Sequence, residues 1–137
     1  MWRFTLSLLA GSLLTSAGAA KSDLDLFQGT WKVAREQRLP EYSPRPKGVR
    51  FAVFEGNNLT WQVKDAQIKT IFRIDPAKKN FDLQGKLWEL PVWFLGCYKL
   101  NGDVLVIRIG EQGKRPRFGQ LDSGETEWIL VREKPAN

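Results

Sequence analysis

Apolar and polar residues alternate in short runs along most of this chain, and turn-forming clusters break the runs at close intervals. From Leu59 to Lys64 the alternation is strict. Leu59, Trp61 and Val63 fall on one side, and Thr60, Gln62 and Lys64 on the other. A period of two marks a half-buried β-strand. The same pattern predicts a strand over residues 30–37, with Trp31 and Val33 on one face. It predicts another over 49–54, with Val49, Phe51 and Val53 inward and Arg50 and Ala52 outward. Residues 67–74 place Ile68, Thr70, Phe72 and Ile74 together, and residues 80–84 place Phe81 and Leu83 together. Further strands are expected over 94–100, 103–109 and 126–133.

The breaks are as informative as the runs. Asn101-Gly102-Asp103 is a hairpin signal, because an Asn-Gly pair tolerates the positive dihedrals of a type I′ turn. Glu55-Gly56-Asn57-Asn58, Asp65-Ala66 and residues 75–80 are shorter turns or loops. The prolines of LPEYSPRPKG exclude regular structure between the first two strands. Pro91 interrupts the apolar run LWELPVWFLGCYKL and places a loop at 86–91. GEQGKRPRFGQLDSGE reads as one long polar loop. Eight strands in hairpin order give an all-β chain, an antiparallel up-and-down meander. Closing it into a barrel removes the exposed edges. A β-sandwich is the competing fold, but sequential hairpins need no long crossover, and the barrel is preferred.

The N-terminal stretch stands apart. Arg3 precedes an apolar run from Phe4 to Leu14, and small residues follow up to Ala20. This is the layout of a secretory signal peptide over residues 1–19, cleaved after Ala19 or Ala20. The run is short for a membrane span. Residues 20–137 then form one domain, exported to the periplasm or secreted, with no membrane span in the mature protein. Of 21 basic and 15 acidic residues only Arg3 lies in the leader, so the mature chain carries a formal charge of +5. There is no histidine, which excludes His-based acid–base chemistry, Ser-His and Cys-His nucleophiles and the usual zinc sites. Cys97 is the sole cysteine and sits in the apolar FLGCY, a setting for a buried, inert thiol.

Gly29-x-Trp31 on the first strand of such a meander resembles the lipocalin signature. The resemblance implies that Trp31 closes one end of the barrel with a basic residue of the last strand over its ring, and Arg132 stands in that place. LFQGTWKV, FEGNNLTW, the Asp75-Pro76-Ala77-Lys78-Lys79 turn, GCYKLNGDVLVI and LVREK together resemble a family of small exported proteins. That family is abundant in planctomycete bacteria, lipocalin-like and functionally uncharacterised. The Thr-Asp-Tyr that lipocalins carry before the penultimate strand is absent here, and Leu87 to Phe94 is more aromatic than in the family. The resemblance implies a fold and a compartment but no activity.

Phe51, Val53, Trp61, Val63, Phe72, Tyr98 and Trp128 are the candidate lumen residues. They either line a cavity for a small apolar or amphipathic ligand or fill the core. Gly29, Trp31 and Arg132 form the candidate structural plug. Trp88, Pro91, Trp93 and Phe94 form a candidate rim, either an exposed patch or a lid folded onto the core. Lys114, Arg115 and Arg117 make one basic loop, and Arg45, Lys47 and Arg50 another. Export argues against nucleic acid as their partner. Glu125 and Glu127 share a side, and a solvent-facing charged pair is favoured over a glycosidase-type couple. No catalytic motif, cofactor or metal site is expected. Two functions remain: a monomeric binding protein with a ligand in its lumen, or a filled barrel acting on an envelope protein through its surface.

Overall fold

The computed structural model describes residues 21–39, 48–87 and 89–134. The expected leader lies outside them, as do Arg45, Lys47, Trp88 and most of the proline-rich loop. A one-turn helix, α1 (Asp23–Phe27), precedes eight strands. These are β1 (Gly29–Leu39), β2 (Val49–Glu55), β3 (Asn58–Val63), β4 (Ala66–Asp75), β5 (Asn80–Leu87), β6 (Leu90–Asn101), β7 (Val104–Gln112) and β8 (Glu125–Arg132). Every neighbouring pair is antiparallel, and β8 returns to β1, closing the barrel. The up-and-down meander expected from the alternation is the observed architecture. None of the described helices is long and apolar enough to cross a membrane.

The core sits inside the barrel. Trp31, Ala52, Leu59, Trp61, Phe72, Phe81, Tyr98, Leu105, Ile107, Ile109, Trp128 and Leu130 are fully buried there. Two register shifts decide which residues reach it. In β1 the pairing with β8 slips between Val33 and Arg35, so Trp31 and Val33 face inward below the slip and Glu36 and Arg38 above it. In β2 the slip falls between Val49 and Phe51. One extra residue in a strand reverses the faces beyond it. Ala52 and Phe54 therefore point inward, and Phe51 and Val53 are half-buried on the outer wall. This corrects the inward assignment of Phe51 and Val53.

The segment 86–91 is not the expected loop. β5 runs on to Leu87, and β6 begins at Leu90, with Glu89 before it at φ +66°. Pro91 lies one residue into β6, opposite Lys86. A proline is tolerated near a strand's first residue, where the ladder is only beginning.

One end of the barrel is closed by α1. Ser22 caps the helix, its hydroxyl accepting from the Asp25 N–H, with Asp23 and Asp25 in the first turn. The helix delivers Phe27 into the barrel. Phe27 lies edge-on to Phe54 and Tyr98, at 5.4 and 5.0 Å, and stacks on Phe72 and Phe81, both at 6.0 Å. Trp31 donates from its indole to the Phe27 carbonyl at 2.7 Å. The Arg132 guanidinium lies 4.2 Å from the Trp31 ring centre and donates to the carbonyls of Leu26 and Gln28. A guanidinium on an indole face is attracted by the ring quadrupole. Gly29, between helix and strand, adopts φ +113°, which a side chain would strain. The Gly-x-Trp pattern thus serves a tight corner and a plug.

The long loop after β7 is a strap on the outer wall. Arg108 points outward from β7, yet only 4% of it is exposed. It donates to Glu127 at 2.7 Å and to the carbonyls of Arg117 and Gly119 at 2.8 and 3.0 Å. Glu125 lies 3.8 Å from the same guanidinium. Arg115 continues the strap, donating to Asp82 at 2.7 Å and to the Gly96 carbonyl at 2.6 Å. Gly110 lets the strap approach: a Cβ there would meet the Lys114 carbonyl at 2.5 Å. Glu125 and Glu127 do share the outer face, but they are ion-paired to Arg108, and Glu125 is buried beneath the strap rather than solvent-facing.

Candidate ligand-binding lumen

The two ends of the barrel differ. β4 and β5 pair only from Ile71↔Gln84 to Asp75↔Asn80. Beyond Ile71, residues 66–70 pair with β3 alone, and residues 85–87 pair with β6 alone. The wall is therefore continuous around the end held by Phe27 and parts at the other in two places: between β4 and β5, and between β1 and β2, whose pairing stops at Lys32↔Phe51. Ile68 pairs with Trp61 and faces the same way, yet 40% of it is exposed. Leu39 and Leu90, at the same end, are 46% and 66% exposed. Ile68 and Leu90 thus expose large apolar side chains at this end, and Leu39, opposite Glu125, does so on the outer wall.

Inside the mouth the lining combines aromatic and polar groups. Trp61 and Trp128 lie 4.7 Å apart between ring centres, tilted by 40°. The Trp61 indole donates to the Thr70 hydroxyl at 3.0 Å, and that hydroxyl donates to the Leu59 carbonyl. The Trp128 indole donates to Glu36 at 3.1 Å. Glu36 also accepts from Arg38 at 2.9 Å and from the Gly48 and Val49 N–H groups. Burial alone would raise the Glu36 carboxyl. The hydrogen bonds from Gly48, Arg38, Trp128 and Val49 outweigh it and hold the group below the ordinary carboxylate value. Arg38 pairs with Thr126 across β8, so its guanidinium belongs to the lumen and not to solvent.

The seven candidate lumen residues therefore separate. Trp61 and Trp128 line the upper lumen, and Val63 is half-buried at the mouth. Phe72 and Tyr98 belong to the packed lower cluster around Phe27. Tyr98 also donates its hydroxyl to Asp23, and burial with that contact raises its pKa. Phe51 and Val53 lie on the outer wall, as stated above. Glu36 and Arg38 are the lumen residues that alternation misses, whereas Thr70 lies on the face that alternation gives it, with Ile68 and Phe72. As polar side chains in a β-strand Glu36 and Arg38 read as outward, and only the β1 slip places them inside.

The rim candidates do not form one patch. Phe94 points inward and is buried, whereas Trp93 lies half-buried on the outer wall with the Arg73 guanidinium 4.0 Å from its ring centre. Pro91 is exposed near the mouth, and Trp88 lies outside the described residues. Strand alternation explains the split between Trp93 and Phe94. Cys97 is buried on the outer wall, and burial pushes its thiol up to about 11, so it is a poor nucleophile at neutral pH. Among the described residues no three His, Cys, Asp or Glu side chains gather as a metal site. No protein-family model, curated protein or solved structure matches this chain.

Proposed function

We propose that this protein is an exported, monomeric lipocalin-like binding protein that holds a small amphipathic ligand in the upper half of its barrel. The parting of β4 from β5 beside Trp61 carries this reading. It supplies a way in, next to two tilted indoles that offer apolar area and to Thr70, Glu36 and Arg38, which offer polar contacts. Ligand sites characteristically combine such an apolar lining with a few placed polar groups. The reading includes export by the N-terminal leader and kinship with the small lipocalin-like family whose motifs the sequence resembles. It assigns no reaction to the chain.

Native mass spectrometry of protein purified from its own host tests the reading. The expected result is an extra mass that vanishes on denaturation. Ile68→Glu, which sets a charge in the mouth, should lower the fraction carrying that mass. Val104→Glu, at the opposite end, should leave it unchanged. A bare polypeptide from the wild type would overturn the reading. It would favour a second one, a barrel acting on an envelope partner through its surface, which draws support from the packed rings around Phe27.

A further inference from the structure

A second concave site lies on the outer wall, away from the lumen. Between the β4–β5 turn, the lower part of β6 and the strap is a groove of about 370 Å³. Cys97, Pro116 and Phe118 line it, and cations surround it: Lys78, Lys79, Lys99, Arg115 and Arg117. No carboxylate lines it.

The nearby acids are engaged elsewhere. Asp23 takes Lys79 at 2.8 Å, and Asp82 takes Arg115 at 2.7 Å. Asp75 accepts the backbone N–H groups of Ala77 and Lys78. Lys78, Lys99 and Arg117 are left exposed around the groove, and none is in an ion pair among the described residues. Lys99 lies over the Phe118 ring at 4.4 Å, which holds its ammonium at the groove wall. The Arg117 backbone is fixed through its carbonyl by buried Arg108. The cations thus stand on a pinned scaffold.

We infer that this groove binds a phosphate-type oxyanion carried on an apolar or aromatic group. Lys78, Lys99 and Arg117 meet the oxyanion, and Pro116 and Phe118 meet the apolar part. Clustered Lys and Arg attract such anions at long range, and Arg recognises them in a bidentate manner. The same chemistry is offered by a free aryl phosphate and by the headgroup of an anionic lipid.

The test is titration of the full mature protein with phenyl phosphate at low ionic strength, followed by amide chemical shifts. Shifts are expected at Lys78, Lys99 and residues 115–118, saturating with one site, and inorganic phosphate should bind more weakly at the same place. The triple variant Lys78→Gln, Lys99→Gln, Arg117→Gln alters only exposed side chains. It should weaken binding about tenfold or more, as the loss of three exposed charge contacts implies. Arg50→Gln, an exposed cation on β2, should not. Sedimentation with phosphatidylglycerol vesicles separates the sources. Binding that the triple variant loses identifies a lipid headgroup, and its absence beside phenyl phosphate binding identifies a small soluble phosphate. An unmoved groove in both arms, or equal binding by wild type and triple variant, overturns the proposal.

Discussion

Replacing Phe27 by alanine tests whether one short helix holds the closed end of the barrel. The ring is fully buried and has four aromatic partners at 5.0–6.0 Å: Phe54, Phe72, Phe81 and Tyr98. Removing a buried phenyl ring costs about 3–5 kcal/mol, through lost transfer energy and the cavity left behind. The upper end applies here, because each aromatic pair adds about 0.5–1.5 kcal/mol beyond area alone. The surrounding strands are hydrogen-bonded into a closed wall and have little freedom to collapse into the gap. For the roughly 105 described residues the entropy of unfolding makes 1 kcal/mol equal to about 4.5 °C. Phe27→Ala should therefore lower the Tm by about 18–23 °C, measured by circular dichroism. The urea midpoint should fall in parallel with an unchanged slope. Phe27→Leu, which refills most of the volume, should cost about half as much. A loss under about 1 kcal/mol, the range of surface substitutions, would refute the claim that α1 is part of the core.

Other substitutions probe the plug and the strap. Trp31→Ala should cost about 3–5 kcal/mol in a denaturant titration. A Trp31→Phe/Arg132→Met cycle should return a coupling near 1 kcal/mol from the guanidinium over the ring. Arg108→Ala leaves Glu125 and Glu127 without their cation beneath the strap. It should cost about 3–5 kcal/mol and expose residues 113–124 to limited proteolysis. Acid titration should destabilise the fold through Glu36 and Asp82, both held below their ordinary values of 4.5 and 3.8. For Asp82, burial raises the carboxyl, and hydrogen bonds from Arg115, Arg73 and Gly96 more than offset it. A depressed carboxylate contributes its full stability above the unfolded value and loses it as pH falls through the folded one. The Tm should thus be flat above about pH 5 and fall below about 4. In Asp82→Asn the drop should be shallower.

Much of the architecture is legible from period-two alternation, because a residue on a half-buried wall reveals its side by its polarity. The hairpin expected at Asn101-Gly102-Asp103 is present, but its two turn residues are Gly102, at φ +61°, and Asp103; Asn101 still pairs with Val104 in the ladder, so the Asn-Gly pair does not form the expected type I′ turn. Alternation fails where its count slips. The extra residue near Arg50 sent Phe51 and Val53 outward, and no local composition marks that bulge. The slip in β1 did the reverse and brought Glu36 and Arg38 inside. Buried Arg108 was hidden for another reason. Its position in β7 is outward, and only a loop nine to eleven residues downstream covers it. The helix α1 did leave a signal. Ser22, followed by Asp23 and Asp25 with Leu24 and Phe27 on one face, is a capped first turn, although too short for periodicity to register.

The distribution of order within the barrel follows from these contacts. At the lower end, Phe27, Trp31 and Arg132 join the helix to β1 and β8, and the aromatic cluster joins β2, β4, β5 and β6. Opening there would break ring contacts, indole and guanidinium hydrogen bonds and the backbone pairing of several strands together. At the upper end, β4 and β5 share no ladder above Ile71, so widening that gap breaks no interstrand pair between them. The charged groups near the mouth are anchored on β1, β2 and β8 instead: Glu36 holds Arg38, Trp128 and the start of β2. Local opening free energies scale with the buried contacts and backbone hydrogen bonds broken. The mouth beside Ile68 and Thr70 is therefore among the least costly places for the wall to yield, and the plugged end among the most costly. Hydrogen exchange should reproduce that order. The Lys69 and Lys86 amides on the two sides of the parting should exchange faster than those of Phe72 and Leu83 below it. Equal protection along β4 would mean that the parting is sealed in solution and that the lumen has another way in or none.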